Sequence, residues 1–412
     1  MPGPGMEIMG EEEKKELLDL IDGWHLMRFG SEDNPAFKAK TFQLEQMVAE
    51  RSGIRYAVAT NSGTSSLLAA MAALGIGPGD EVIVPGYTFI ASISSIIYSR
   101  AFPVLAEIDR TLNLDPEDVR AKITPRTKAI MAVHMLGNPA RLKELKALAD
   151  EHGISLIEDC AQAFGASYHG KPIGSIGDMG TFSFNCYKLI NAGEGGMLIT
   201  DDEELYRRAF AFHDQGHSPL RQDITQVGGR PFVGLNLRMT ELTAAVLLAQ
   251  VRKTDRILEH LRANKKRFKK QLVDLPGLGF REITDPEGEC ATLLTVILPD
   301  ADIARRVAGD LATIVLTESG WHVYSNMEQV LERRTITPKG CPFNCGSYKA
   351  PEMTYRKGML PQTDEILARA INISIGVVDP GLGAGFGVSM HDGFEEVDRR
   401  AEKFQRVVKQ YL

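Results

Sequence analysis

Ser155-Leu156-Ile157-Glu158-Asp159, Thr181-Phe182-Ser183-Phe184-Asn185-Cys186-Tyr187-Lys188 and Gly193-Glu194-Gly195-Gly196-Met197-Leu198-Ile199-Thr200 decide how this chain is read. The first stretch is an apolar β-type run ending in two carboxylates. The last is a glycine turn that runs into another short strand. Between them stands Lys188, beside apolar and aromatic residues. A desolvated amine has a lowered pKa and forms a Schiff base with an aldehyde cofactor. A carboxylate at the end of a neighbouring strand, here Asp159, holds a pyridinium nitrogen protonated and makes the ring an electron sink. Taken singly, a lysine after a strand is a solvated surface lysine, and an aspartate at a strand end caps a turn. The reading therefore rests on the set to which the two belong.

Outward from this centre, Tyr56-Ala57-Val58-Ala59-Thr60 reads as a short strand that runs into Asn61-Ser62-Gly63-Thr64-Ser65-Ser66 and an Ala/Leu/Met-rich helix to Leu74. Free backbone N–H groups, the helix dipole and Ser/Thr hydroxyls make such a terminus a phosphate site; the plainer alternative is that Asn61 or Ser62 only caps the helix. Residues 81–84 form a strand ending at Pro85, and Gly86-Tyr87-Thr88-Phe89 follows. That puts Phe89 where a strand end meets a helix, either as packing or to stack on a planar ring. Gly75-Ile76-Gly77-Pro78-Gly79-Asp80 lies after a helix and before a strand, the reverse of a dinucleotide loop, and is a turn.

Strands at 104–108, 129–135 and 155–158 alternate with helices at 116–122 and 139–152. This alternation predicts an α/β fold with a mostly parallel sheet flanked by helices, whose ligands sit at the strands' carboxyl ends. Helical spacing is also present at 6–22 and 37–52, with an irregular 24–36 between them that crosses a subunit or lines a cleft. A polar, mobile loop is expected at 213–229, a helix capped by Thr240 at 240–250, and one long charged helix at 251–273. Strands at 292–298, 314–316 and 371–377 and helices at 301–311 and 394–411 make a smaller C-terminal α+β domain with an insertion at 325–360. The division is thus a large domain at 1–255, with an N-terminal helical segment, and a small one at 256–412.

Composition narrows the function class. The 412 residues suffice for both domains, and a net charge of −7 with no long Lys/Arg run gives no footprint for nucleic acid. The five cysteines form no disulfide framework, and their odd number fits a reducing compartment. No signal-peptide core or membrane-length apolar run is present, so a cytoplasmic protein is expected. Cys341 and Cys345, with His322 nearby, have no second ligand pair, so no metal is expected and residues 337–358 are read as a substrate-side loop.

In order along the chain, Asn61-Ser62-Gly63-Thr64, Pro85-Gly86-Tyr87-Thr88-Phe89, Glu158-Asp159-Cys160-Ala161-Gln162-Ala163, Phe182-Ser183-Phe184…Lys188…Gly193-Glu194-Gly195-Gly196 and Gly234-Leu235-Asn236-Leu237-Arg238-Met239 together resemble the sugar aminotransferases of the DegT/DnrJ/StrS type. The resemblance runs from about residue 20 to residue 270 and is weaker through Met359-Leu360-Pro361 and Ile373-Ser374-Ile375-Gly376. It implies the aspartate-aminotransferase fold (fold type I) and pyridoxal 5′-phosphate (PLP), with pyridoxamine phosphate as its other form. By position it implies that Lys188 is the Schiff-base lysine and proton shuttle, Asp159 the partner of the pyridine nitrogen, Gln162 the partner of the phenolic oxygen, and Ala161 and Phe89 the groups on the two ring faces. It further implies that Gly63, Thr64 and Ser183 bind the phosphate, and that Asn236 reaches the phosphate from a neighbouring subunit in a homodimer. Relatives with His in place of the lysine catalyse dehydration, so Lys188 favours transamination.

Two stretches depart from the usual pattern: Leu237 stands where an aromatic is common before Arg238, and residues 337–358 match nothing familiar. The implied reaction moves an amino group from glutamate or glutamine to a nucleotide-linked ketosugar, an inosose-type ring or a free sugar acid, in amino-sugar, polysaccharide or antibiotic biosynthesis. His213-Asp214-Gln215-Gly216-His217 and residues 376–387 lean toward cyclitols or free sugar acids. The alternatives are another PLP enzyme (a lyase, dehydratase or desulfurase) or a PLP-binding regulator without turnover.

Overall fold

The computed structural model describes residues 3–31, 33–219, 231–337, 340–345 and 354–412. Residues 220–230 of the expected polar loop, and 338–339 and 346–353 of the expected insertion, lie outside the described residues. Nine strands occupy the first half: β1 Tyr56–Thr60, β2 Glu81–Pro85, β3 Phe102–Ala106, β4 Thr127–Val133, β5 Ser155–Asp159, a hairpin of β6 Ser167–Tyr168 and β7 Lys171–Pro172, then β8 Met179–Ser183 and β9 Gly196–Thr200. Seven of them form one sheet in the order β1-β9-β8-β5-β4-β2-β3. The pairs β2/β3, β2/β4, β4/β5 and β5/β8 are parallel, whereas β9 runs antiparallel to both β8 and β1. The expected mostly parallel α/β sheet is therefore what forms. Its central strands are buried along nearly their whole length, which is why they read as unbroken apolar runs and not as alternating ones.

The helices start where the chemistry of the sequence sets them. The Ser62 hydroxyl accepts from Ser65 N at the head of helix Gly63–Ala73, and the Thr240 hydroxyl accepts from Thr243 N at the head of helix Glu241–Arg252. The expected long charged helix at 251–273 forms as Thr254–Lys270, set off from Glu241–Arg252 by Lys253. A tertiary contact holds the junction. Lys253 Nζ is drawn inward to the Ile8 carbonyl at 3.0 Å and to the buried Glu13 carboxylate at 2.7 Å.

A second sheet, β10 Gly279–Phe280, β11 Leu293–Ile297 and β12 Ala370–Ser374, is antiparallel throughout. The strand expected at 314–316 does not form: β10 takes the edge beside β11, and Leu316–Glu318 is a 3-10 turn. Val315 and Leu316 are buried all the same, so the apolar run reported core and not conformation. One apolar cluster extends from Leu44 to Val408 and joins both sheets. Among the described residues, no helix is long and apolar enough to cross a membrane.

Two further expectations are corrected. Cys341 and Cys345 form a disulfide, because the turn between them brings their Cα atoms to 5.0 Å. An odd cysteine count argues against a framework and has no bearing on one local pair; Cys160, Cys186 and Cys290 are free. The described part of the segment read as a substrate-side loop does not line the main cavity either. Phe343 packs edge-on against Phe102 and Tyr355, which holds Gly340 and Cys341 over a separate cavity against Ile90, Ser94 and Tyr98.

Candidate active site

A cavity of 510 Å³ opens at the carboxyl ends of the parallel strands. Gly63, Thr64, Phe89, Asp159, Ala161, Gln162, Ser183 and Lys188 all line it. Asn236 does not line the cavity of its own chain; it is exposed, bridged to Asp214 beyond the end of helix Glu203–His213. The irregular segment 24–36 also contributes nothing to the lining. It is anchored by Arg28, buried in an ion pair with Glu45 at 2.9 Å.

One end of the cavity is built for an anion. Ser62, Gly63 and Thr64 open the helix that follows β1, and Ser183 ends β8 directly opposite. A Cβ added to Gly63 would lie 2.7 Å from Ser183 Cβ, so only glycine lets the two elements meet. The result is a small concavity of backbone N–H and hydroxyl groups at a helix N-terminus, the arrangement that accepts phosphate.

Asp159 is buried and rigidly oriented. Its Oδ2 accepts from Ser92 Oγ at 2.7 Å, Ser92 Oγ is 2.7 Å from Thr88 Oγ1, and Oδ1 accepts from Ala161 N at 3.1 Å. Gln162 Oε1 accepts from Leu136 N at 2.8 Å, which fixes the amide and leaves its Nε2 as the donor end. Phe89 is braced by Trp321, ring centroids 6.3 Å apart and 18° from parallel, and by His322 at 5.4 Å.

Lys188 is the desolvated amine of this set. Burial pushes its amine below the ordinary value, while the carboxylates of Asp159 and Asp379 pull the other way without cancelling the shift. The loop that carries it is clamped from behind by the start of the chain: Gly3 N donates to Cys186 O at 2.8 Å, and a Cβ on Gly3 would lie 2.4 Å from the Tyr187 and Lys188 carbonyl oxygens. Beside Lys188, burial and then the lysine's charge hold His322 down to about 3.

Glu158, the neighbouring carboxylate, has a different job. Burial alone would raise it, but a hydrogen bond from His134 and backbone N–H groups of Gly174 and Gly177 leave it lowered. It clips the turn between β5 and β8. His134, Glu158 and Cys160 cluster with ligand-type atoms within 4.8 Å. However, His134 Nδ1 already accepts from Ala140 N, and burial keeps the Cys160 thiol protonated. The cluster is spent on internal bonds.

Sequence reading missed Thr88, Ser92, Trp321, His322 and Asp379. Ser92 lay one turn beyond Phe89 and was the only one with a usable signal, a hydroxyl on an apolar helix face. Of the two stretches taken as hints about the acceptor, 213–217 is absent from the lining, whereas 376–387 supplies Val377, Asp379, Gly381 and Leu382.

Residues 9–377 match the model of the DegT/DnrJ/EryC1/StrS aminotransferase family. The chain belongs to this family. Among relatives, it is 45% identical to a GDP-perosamine synthase of Caulobacter vibrioides over 54% of this chain and 58% of that protein. It is 36% identical to an L-glutamine:2-deoxy-scyllo-inosose aminotransferase of Streptomyces kanamyceticus over 77% of this chain and 73% of that protein. The chain spans between 50% and 63% of the length of the first three curated relatives it matches. Of solved structures, 3-amino-5-hydroxybenzoic acid synthase superposes with a TM-score of 0.79 at 26% identity, over 98% of this chain and 97% of that one. The family match covers residues 9–377, and the structural likeness extends over nearly the whole chain.

Proposed function

We propose that the protein is a PLP-dependent aminotransferase that moves an amino group from glutamate or glutamine to a keto or aldehyde carbon of a sugar or cyclitol. The observation that carries this is the convergence of a desolvated lysine, an oriented carboxylate and an anion cradle on one cavity. The residues fit the cofactor. Gly63, Thr64 and Ser183 would take its phosphate, Gln162 Nε2 its phenolic oxygen, and Asp159 its ring nitrogen, with Ala161 and Phe89 on the two faces. When bound, the cofactor supplies an electron sink for the carbon that carries the amino group.

The chain's own part is to hold and move protons. Asp159, kept in place by Ser92 and Ala161, retains a proton on the ring nitrogen as an ion pair. Lys188, with its depressed amine, is a competent base for the substrate carbon's proton and a competent acid on the return. Both substrates use the same cavity in turn, so the donor's keto product leaves before the acceptor enters.

A homodimer with shared sites belongs to this reading. Asn236 does not line its own cavity and lies in an exposed segment with Val233 and Leu235, which supports contact with a second copy. A cytoplasmic placement belongs to this reading on the three free cysteines, with the Cys341–Cys345 disulfide as the feature that runs against it. A division near 255/256 belongs to this reading too: the first sheet ends with β9 at Thr200, and helix Thr254–Lys270, within whose first turn the division falls, leads to the second sheet.

The deciding experiment is the absorption spectrum of purified protein with PLP, before and after glutamate or glutamine, beside Lys188→Ala. A visible cofactor band that bleaches with the donor, and is lost in the variant, is the expected result. A band that no donor changes removes the transaminase reading, and no band at all removes the cofactor.

A further inference from the structure

The C-terminal half of the chain contributes Trp321, His322, Val377, Asp379, Gly381 and Leu382 to the cavity lining, along with Thr292 and Leu293. Asp379 and His322 are tied into one frame. Asp379 Oδ1 accepts from Gly381 N at 2.8 Å. The Gly381 carbonyl accepts from the Ser319 hydroxyl, and Ser319 Oγ lies 3.1 Å from His322 Nδ1. Because the Ser319 proton is committed to the Gly381 carbonyl, its oxygen is the acceptor and His322 Nδ1 the donor. His322 Nε2 then carries a bare lone pair. His322 is 7% exposed, lines the cavity, and has no hydrogen-bond partner at Nε2 among the described residues.

The backbone holds this part of the lining in register, since Thr88 N donates to His322 O at 2.9 Å and Ile90 N to Trp321 O at 3.2 Å. Glu194 adds a carboxylate nearer the surface, where it accepts from Asn185 Nδ2 at 2.9 Å. Among the described residues, Lys188 is the only lysine or arginine in the lining.

We propose that this part of the lining is the acceptor-substrate subsite, and that Asp379 and His322 Nε2 receive hydrogen bonds from hydroxyl or ammonium groups of a free polyhydroxylated ketone ring. The inference rests on the transaminase reading and narrows its acceptor. A carboxylate and an imidazole lone pair both accept, so a group seated against them has to donate. Ring hydroxyls and an amino substituent do so, whereas a phosphate or diphosphate there would set anion against anion in a partly desolvated site. Trp321 offers a flat face for the ring's C–H edge. A free cyclitol ketone or its amino-bearing analogue has this chemistry over its whole surface, and a nucleotide diphosphate sugar does not.

The test uses full-length holoenzyme, with a free 2-keto-inositol and a GDP-linked 4-ketosugar as acceptors and glutamine as donor. The keto-inositol is expected to show at least about tenfold higher kcat/KM than the GDP-sugar. In Asp379→Asn and His322→Phe, each with the cofactor band retained as the check on folding, KM for the keto-inositol is expected to rise about tenfold with kcat within about threefold, the cost of one charge-assisted or buried hydrogen bond. Asp379→Glu is expected to recover part of the loss. A preference for the GDP-sugar, or an unchanged KM in both variants, overturns the proposal. The wild-type response to glutamine separates the two levels. If the band does not bleach, the transaminase reading fails; if it bleaches and the GDP-sugar is preferred, only the subsite falls.

Discussion

At the scale of single residues, the site works because neighbours fix the protons of its ionisable groups. Ser92 shows this most simply, as its hydroxyl is the side-chain donor to Asp159 Oδ2 at 2.7 Å. Removing a buried donor to a charged acceptor costs about 1–3 kcal/mol. Ser92→Ala is therefore expected to lower folding stability by about that amount and to slow bleaching of the cofactor band by glutamine roughly tenfold, read by urea unfolding and stopped-flow absorbance. An unchanged rate would mean that Asp159 needs no such support.

His322 makes a prediction about pH. Its ordinary pKa is 6.5 and its folded one about 3, so below 6.5 the unfolded chain takes up a proton that the folded chain refuses. Stability should fall as pH drops through that window, by up to about 1.4 kcal/mol per pH unit from this residue. Urea unfolding at pH 7, 5.5 and 4.5 should show a shallower acid decline in His322→Gln than in the wild type. Parallel declines would contradict the burial argument.

At the scale of elements, the site depends on close approaches that leave no room for a side chain. Helix Gly63–Ala73 meets β8 at Gly63, and Gly63→Val would press on Ser183 Cβ, which lies 2.7 Å from even a single added carbon. Overpacking of this kind costs about 1–3 kcal/mol, and here it also blocks the anion cradle. The expected outcome is at least about tenfold weaker PLP binding, by fluorescence titration of the apoprotein, with β-branched side chains worse than Ala. Equal affinity in Gly63→Ala, Gly63→Val and the wild type would show that the cradle lies elsewhere. The same scale explains which elements sequence pattern described well. Buried parallel strands such as Ser155–Asp159 and capped helices such as Glu241–Arg252 announce themselves, whereas 314–316 was settled by an already filled sheet edge.

At the scale of the whole molecule, the arrangement is incomplete in one chain if Asn236 serves a second copy's cavity. Mixing Lys188→Ala with Asn236→Ala chains, each weak alone at low PLP, should then restore activity. Half of randomly re-paired dimers are hybrids with one intact site of two, so about a quarter of wild-type activity is expected. No recovery after verified exchange would place Asn236 outside the partner's site.

Much of this protein was legible without coordinates. The order of apolar runs, glycine turns and caps determined an α/β sheet with its site at the strand ends, since burial on both faces and orphaned helix termini leave marks in local sequence. Lys188, Asp159 and Gly63 were legible at or just beyond predicted strand ends, whereas Gln162 and Ser183 came from the family resemblance alone. Tertiary structure alone decided what these residues touch. Ser92 on Asp159, 67 residues away in sequence, Gly3 behind Lys188, and Asp379 and His322 in the cavity lining come from segments distant in the chain, and the energy of burying and pairing their polar groups exists only once the chain has closed around them.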